Sequence, residues 1–134
     1  MSKLFTYQKK DKLKSRKQTQ FLFSKGASIT IQPIRLLYTI EKDETGLFPN
    51  GLLQAGVGAP SRQFRKAVQR NRVKRLLREG YRLEKPNFIA MCPLSNIKLN
   101  LFFLYVDLKV LTQKEIQSTI KLVLQKLTDK LIAA

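Results

Sequence analysis

Ten residues in the second half of the chain, Leu99-Asn-Leu-Phe-Phe-Leu-Tyr-Val-Asp-Leu108, place the strongest limit on the fold. All but Asn100 and Asp107 are apolar. Successive side chains of a strand point to opposite faces, so an almost unbroken apolar run predicts a central strand covered on both sides. A sheet is therefore required, and the rest of the chain must supply its other strands. Ile34–Glu41 is rich in β-branched and aliphatic residues and reads as one, opened by Pro33 and closed by the acidic stretch Glu41-Lys-Asp-Glu44. Thr45-Gly-Leu-Phe-Pro-Asn-Gly51 is turn chemistry and leads into a second strand, Leu52–Val57. These two strands are expected to pair as a hairpin with a long loop.

The helices follow from apolar spacing and from stop signals. A short helix is expected at about 17–25, with Leu22 and Phe23 on its core side and Gly26 ending it. A second runs from about Lys66 to Glu84, where Pro86 bars continuation. Residues 86–98 read as irregular. Thr112-Gln-Lys-Glu115 has the form of a capping box, with Thr112 as N-cap and Glu115 reaching back. Behind it Ile116, Ile120, Val123, Leu127 and Leu131 mark one side of an amphipathic helix that continues to the end of the chain. With no internal repeat and no low-complexity linker, residues 1–134 are expected to form one domain. The predicted class is α+β: a single-domain α/β sandwich in the order α-β-β-α-β-α, its helices packed on a small mixed sheet.

Charge then narrows the function. The 26 Lys and Arg residues against 9 Asp and Glu leave a net charge of +17, which repels itself unless a polyanion is bound. The apolar stretches are too short to span a bilayer and no lipidation motif is visible, so nucleic acid is expected rather than membrane. There is no histidine, which excludes Ser/His/Asp and Cys/His centres and any His-ligated metal. The single cysteine, Cys92, cannot form an intrachain disulfide and fits a reducing cytoplasm. Its setting, Phe88-Ile-Ala-Met-Cys-Pro93, reads as that of a small buried hydrophobe. The first residues, Met-Ser-Lys-Leu-Phe-Thr-Tyr, contain no apolar run of signal-peptide length, so a cytoplasmic protein is expected.

The functional information is concentrated in the second helix. Val73, Leu76, Leu77 and Gly80 share one side and are expected to seat it on the sheet. Asn71, Arg75, Arg78 and Arg82 line the opposite side, flanked by Arg72 and Lys74, with Arg70 nearer the core boundary. That outer face is expected to be almost purely guanidinium and ammonium, with one amide and no carboxylate. Solvated helix faces ordinarily mix signs, because Glu–Lys pairs support them. Like charges stacked along one side destabilise the helix unless phosphates neutralise them, and arginine's planar fork suits bidentate phosphate contacts.

In these residues the chain resembles the bacterial ribonuclease P protein family. The resemblance is carried by Lys66-Ala-Val-Gln-Arg-Asn-Arg-Val-Lys-Arg-Leu-Leu-Arg78, which is similar to the family's basic helix with its Arg-Asn-Arg core. Lys12-Leu-Lys14, Phe23-Ser-Lys-Gly26, Leu36-Leu-Tyr-Thr39 and Gly56-Val-Gly58 extend it over most of the chain, and 86–98 looks like an insertion. Thr19 stands where family members often have an aromatic residue, and Lys66 where an Asn is frequent.

The resemblance implies that a partner RNA subunit carries the catalysis with Mg²⁺ and that this chain supplies no catalytic residue; no cofactor is assigned to the chain itself. It implies contacts to the ribonuclease P RNA through Arg65, Lys66, Arg70, Asn71, Arg72, Lys74, Arg75, Arg78 and Arg82. It also implies a cleft for the single-stranded 5′ leader of precursor tRNA, with Phe23 and Tyr38 stacking on bases and Lys12, Lys14 and Arg62 beside them. The main alternative is a ribosomal or general RNA-chaperone protein, which shares the charge but gives no account of the ordered Arg-Asn-Arg helix. A self-sufficient nuclease would need clustered carboxylates or a histidine base, and the acids here are scattered. DNA is not expected, since no helix-turn-helix spacing is visible.

Overall fold

The computed structural model describes residues 26–47, 49–60, 64–92 and 94–133. Within them the chain forms β1 (Ala27–Ile31), β2 (Ile34–Lys42), β3 (Leu52–Gly58), α1 (Ala67–Met91), β4 (Ile97–Tyr105) and α2 (Gln113–Ala133). The strands make one mixed sheet in the order β1-β2-β4-β3. Pairing is antiparallel for β1 with β2 and for β2 with β4, and parallel for β3 with β4. The class is α+β, as expected. The helix expected at 17–25, with Leu22 and Phe23, lies outside the described residues.

The apolar run near residue 100 is central, as its composition requires. Ile34, Leu36 and Tyr38 of β2 stand opposite Tyr105, Phe103 and Leu101 of β4, and Leu53 and Ala55 of β3 stand opposite Leu99 and Leu101. This side of the sheet meets both helices in one core. The Tyr81 ring of α1 lies 5.3 Å from that of Phe103, and Phe64 lies 5.6 Å from Tyr105. Ile116, Ile120, Val123 and Leu127 of α2 are each 0% exposed. Burying side chains of this size stabilises the fold by roughly 1.5–3 kcal/mol apiece. On the other side, Asn100 donates from Nδ2 to the Thr39 hydroxyl at 3.3 Å, so the polar residue within the apolar strand is satisfied by its cross-strand partner.

Three expectations need correction. First, β2 and β3 do not form a hairpin: β4 lies between them. β2 and β3 each gain more by pairing with this apolar strand than with each other. Second, an additional strand, β1, precedes β2 and is joined to it by the two-residue turn Gln32-Pro33. Third, the basic helix does not end at Glu84 but continues through Pro86 to Met91, so much of 86–98 is helical rather than irregular. Proline forfeits one backbone bond and crowds the preceding turn. Tyr81, Glu84, Lys85 and Phe88 are nonetheless buried, and Glu84 Oε2 accepts a 3.0 Å hydrogen bond from Gln117 Nε2 of α2. Contacts on both sides of the proline hold the helix together across it.

Gly80 sets how closely the helices approach. A Cβ there would stand 2.7 Å from Ile120 Cδ1 and 3.4 Å from Gln117 Cα. At the start of α2, the Glu115 N–H donates to Thr112 Oγ1 at 3.2 Å, which is the N-cap half of the expected capping box. The strand expected over 99–108 runs over 97–105, and the Tyr105 hydroxyl then organises the turn into α2, donating to the Lys109 carbonyl and accepting from Leu111 N–H.

Candidate nucleic-acid interface

The sheet side of α1 is fixed by Val73 and Leu77, both 0% exposed, together with Gly80 and Tyr81; Leu76 is half-buried at the margin. Helical geometry then puts Asn71, Arg72, Arg75 and Arg78 in solvent, with Lys74 and Arg82 half-buried along the edges. From Arg65 to Arg82 the chain carries eight cations and one carboxylate, Glu79. Arg72, Lys74, Arg75 and Arg78 form no ion pair among the described residues.

The expectation of a face without carboxylates is corrected by Glu79. It joins Asn71, Arg75, Arg78 and Arg82 around a shallow depression on the outer face. Arg82 grips it with two hydrogen bonds, Nη2 to Oε1 at 2.6 Å and Nε to Oε2 at 3.1 Å. The hydrogen bond from Arg82 holds the Glu79 carboxyl below its ordinary pKa. The i,i+3 spacing of Glu79 and Arg82 was the available signal for this pair.

Arg70 has a different task from its neighbours. Its Nη1 donates to the carbonyls of Phe64 at 2.8 Å and Arg65 at 2.7 Å. The guanidinium thus clasps the segment entering the helix against its first turn, with Phe64 itself buried. Nothing in the charge pattern separates Arg70 from the other arginines, so this role was not legible beforehand.

The entry to α1 is also electrostatically unusual. Lys66 occupies the N-cap position without a side-chain cap bond, and the first turn contains no acid. Exposed Arg65 and Lys66 therefore sit at the positive end of the helix dipole, where anions are normally favoured. The backbone N–H groups of the first turn, the dipole and two cations converge there, an arrangement that a phosphate satisfies.

The residues assigned to the leader are less fully placed. Phe23, Lys12, Lys14 and Arg62 lie outside the described residues. Tyr38 sits in β2, 8% exposed, among the core side chains. A ring so covered must be uncovered before a base can stack on it. Cys92 is buried, and desolvation raises its thiol to about 11, in keeping with a packing role. Among the described residues no His, Cys, Asp and Glu cluster suited to a metal is found, and no helix is long and apolar enough to cross a membrane.

Residues 7–128 match the family described as Ribonuclease P. The chain is similar to the ribonuclease P protein component of Porphyromonas gingivalis, at 35% identity over 81 residues, covering 60% of this chain and 56% of that protein. It is similar to the component of an Exiguobacterium species at 35% identity over 79 residues, covering 59% of this chain and 62% of that protein. The chain thus spans little more than half the length of these relatives. Among solved structures it resembles the RNase P protein of Staphylococcus aureus, with a TM-score of 0.61 at 18% identity over 87% of this chain and 94% of that one. The RNase P protein of Thermotoga maritima in complex with 1-(4-fluorophenyl)-2-thiourea gives a TM-score of 0.51 at 19% identity, over 87% and 96%. At these identities the structural likeness speaks to the fold.

Proposed function

The chain belongs to the ribonuclease P protein family, and from that premise we propose that it is the protein subunit of a ribonuclease P, binding a catalytic RNA subunit and supporting removal of the 5′ leader from precursor tRNA. The observation that carries this reading is the row Arg72, Arg75 and Arg78 on α1: exposed, without ion pairs among the described residues, and inside the matched stretch. Such a row is destabilising alone and becomes favourable against a phosphate backbone.

In this reading the RNA subunit performs the hydrolysis with Mg²⁺, and the chain contributes charge and position in the cytoplasm. It has no histidine, the side chain that ordinarily serves as a general base near neutral pH. Arg72, Arg75, Arg78 and Asn71 meet phosphates along the outer face, with Lys74 and Arg82 at its edges. Arg65 and Lys66 add contacts at the helix entry. Arg70 fixes that entry and reaches the RNA with its remaining donors. The leader runs past Phe23, Tyr38, Lys12, Lys14 and Arg62, where flat rings stack on unpaired bases without demanding a sequence.

Reconstitution tests the assignment. The purified chain alone should leave precursor tRNA intact. Added to a ribonuclease P RNA, it should give accurate 5′ cleavage at lower Mg²⁺ than that RNA needs by itself. Site-specific cleavage by the chain alone, or no effect on the RNA's Mg²⁺ requirement, overturns the reading. For the leader, Tyr38→Ala should weaken leader-bearing tRNA by about 1–3 kcal/mol and leave mature tRNA unchanged. Equal losses for both, with a large fall in melting temperature, assign Tyr38 to the core alone.

A further inference from the structure

The arginine row of α1 runs back toward the helix start, and the turn 106–112, between β4 and α2, lies at that same end of the molecule. Three contacts fix it there. The ring of Phe64, the residue just before Arg65, lies 5.6 Å from the ring of Tyr105, which ends β4. The Tyr105 hydroxyl holds the turn from within, donating to the Lys109 carbonyl at 2.5 Å and accepting from Leu111 N–H at 3.0 Å. Val106 N–H donates to the Pro33 carbonyl at 2.7 Å and so ties the turn to the β1–β2 connection. Val110 and Leu111 pack against the core, which leaves Leu108 and Lys109 at the tip. Leu108 is 74% exposed, and exposed Lys109 forms no ion pair among the described residues.

A single exposed leucine means little by itself. This one stands beside a cation, on a turn anchored from three directions, at the end of a row of cations. The acids nearby are otherwise engaged. Asp107 accepts from the Lys109 backbone N–H at 3.3 Å, and Glu115 sits in the first turn of α2, where the helix dipole favours it. From Arg78 to Lys66 the row extends about 18 Å along α1. A polynucleotide backbone that follows it arrives at the helix start with Arg65 and Lys66 on one side of the Phe64–Tyr105 contact and Lys109 on the other. We infer that the turn 106–112 is a second contact for the RNA held by α1, with Lys109 meeting a phosphate and Leu108 packing on the ribose or base beside it. The inference rests on the RNA-binding reading above and extends it to a part of the chain outside the basic helix. RNA is the occupant because the surface is continuous with the row and shows the same sign of charge at its tip. Looped and unpaired RNA offers the sugar and base faces that an apolar side chain can cover.

Equilibrium binding of the whole chain to a bacterial ribonuclease P RNA over a salt series is the test. Lys109→Gln should weaken binding and take about 0.7–0.9 from the slope of log affinity against log salt, as one lost phosphate contact does. Leu108→Ser should weaken binding about three- to tenfold and leave the slope unchanged, because the contact it loses is apolar. Both side chains are exposed, so circular dichroism melts of the two variants should match wild type. Lys126→Gln removes an exposed lysine about 20 Å from the start of α2 and should bind as wild type does. Wild-type affinity in either tip variant overturns the proposal. So does a loss in Lys126→Gln equal to that in Lys109→Gln, which would reduce the effect to net charge. Arg75→Ala separates this failure from failure of the underlying reading. If it loses affinity and slope while the tip variants keep theirs, α1 binds the RNA and the turn does not; if it too binds as wild type, both readings fall.

Discussion

Arg70 and Arg75 lie five residues apart on one helix and should fail in different ways when removed. Arg70→Ala deletes two charge-assisted hydrogen bonds, to the Phe64 and Arg65 carbonyls at 2.8 and 2.7 Å. Both sites are partly open to water, so each bond is credited with about 1 kcal/mol, near the middle of the range for ordinary hydrogen bonds. Unfolding entropy of roughly 2.1 cal/mol/K per residue converts the combined loss of about 2 kcal/mol into a fall in Tm of about 7 °C for a chain of this size. Arg75→Ala deletes no intramolecular bond and substitutes a better helix former, so its Tm should stay within about 2 °C of wild type. Against the RNA subunit both variants should bind more weakly. Each should lose about 0.7–0.9 from the slope of log affinity against log salt, the signature of one missing phosphate contact. The assay is a thermal melt of the free protein beside filter binding over a salt series. If Arg70→Ala melts like wild type, the clasp contributes nothing to stability and the reasoning from its geometry fails. If Arg75→Ala binds with unchanged slope, the outer face of α1 is not where phosphates sit.

Two further outcomes follow from single side chains. Glu79→Gln should leave Tm nearly unchanged, because the Arg82 pair is exposed at the surface and such pairs contribute little. It should also strengthen RNA binding and steepen its salt dependence by removing the carboxylate that competes with phosphate for Arg82; weaker binding would mean that Glu79 positions Arg82 rather than competing for it. Cys92 titrates at about 11 when folded against an ordinary value of 9.0, so below pH 9 the thiol is protonated in both states and its full contribution to stability is present. As pH rises from 9.0 toward about 11 the unfolded chain ionises first, and that contribution is lost. The Tm difference between wild type and Cys92→Ala should therefore move in favour of the variant across this window. A constant difference would refute the burial argument.

Much of this architecture could be read from periodicity alone. The positions from Ile116 to Leu131 name the buried side of α2, and the run near residue 100 names the central strand, because both patterns are dictated by covering an apolar surface. What escaped depends on partners distant in sequence. β1 offers only Ile29 and Ile31 as buried-side apolar residues among Ser and Thr, too little for a strand until β2 lies beside it. The β2–β3 loop has the length and turn residues of a hairpin, and nothing local reveals that another strand inserts between its arms. Pro86 is a sound local stop signal outweighed by burial of Phe88 and the Glu84–Gln117 bond. At the interface the arginine row was legible as a stripe. The Arg70 clasp was not, since its acceptors are backbone carbonyls that every residue carries.

The insertion of β4 between β2 and β3 has a consequence for how the chain is born. During synthesis β1, β2, β3 and the whole arginine row of α1 precede the strand that joins them, since β2 and β3 share no ladder of their own. Ile34 must wait for Tyr105, and Leu53 for Leu99. Closing such distant pairs carries an entropic cost before any contact is gained, which makes for slow assembly. Until then the nascent segment exposes the unpaired edges of β2 and β3 beside a concentrated positive charge, and a polyanion that engages the helix early would hold those strands near one another while β4 is still being made.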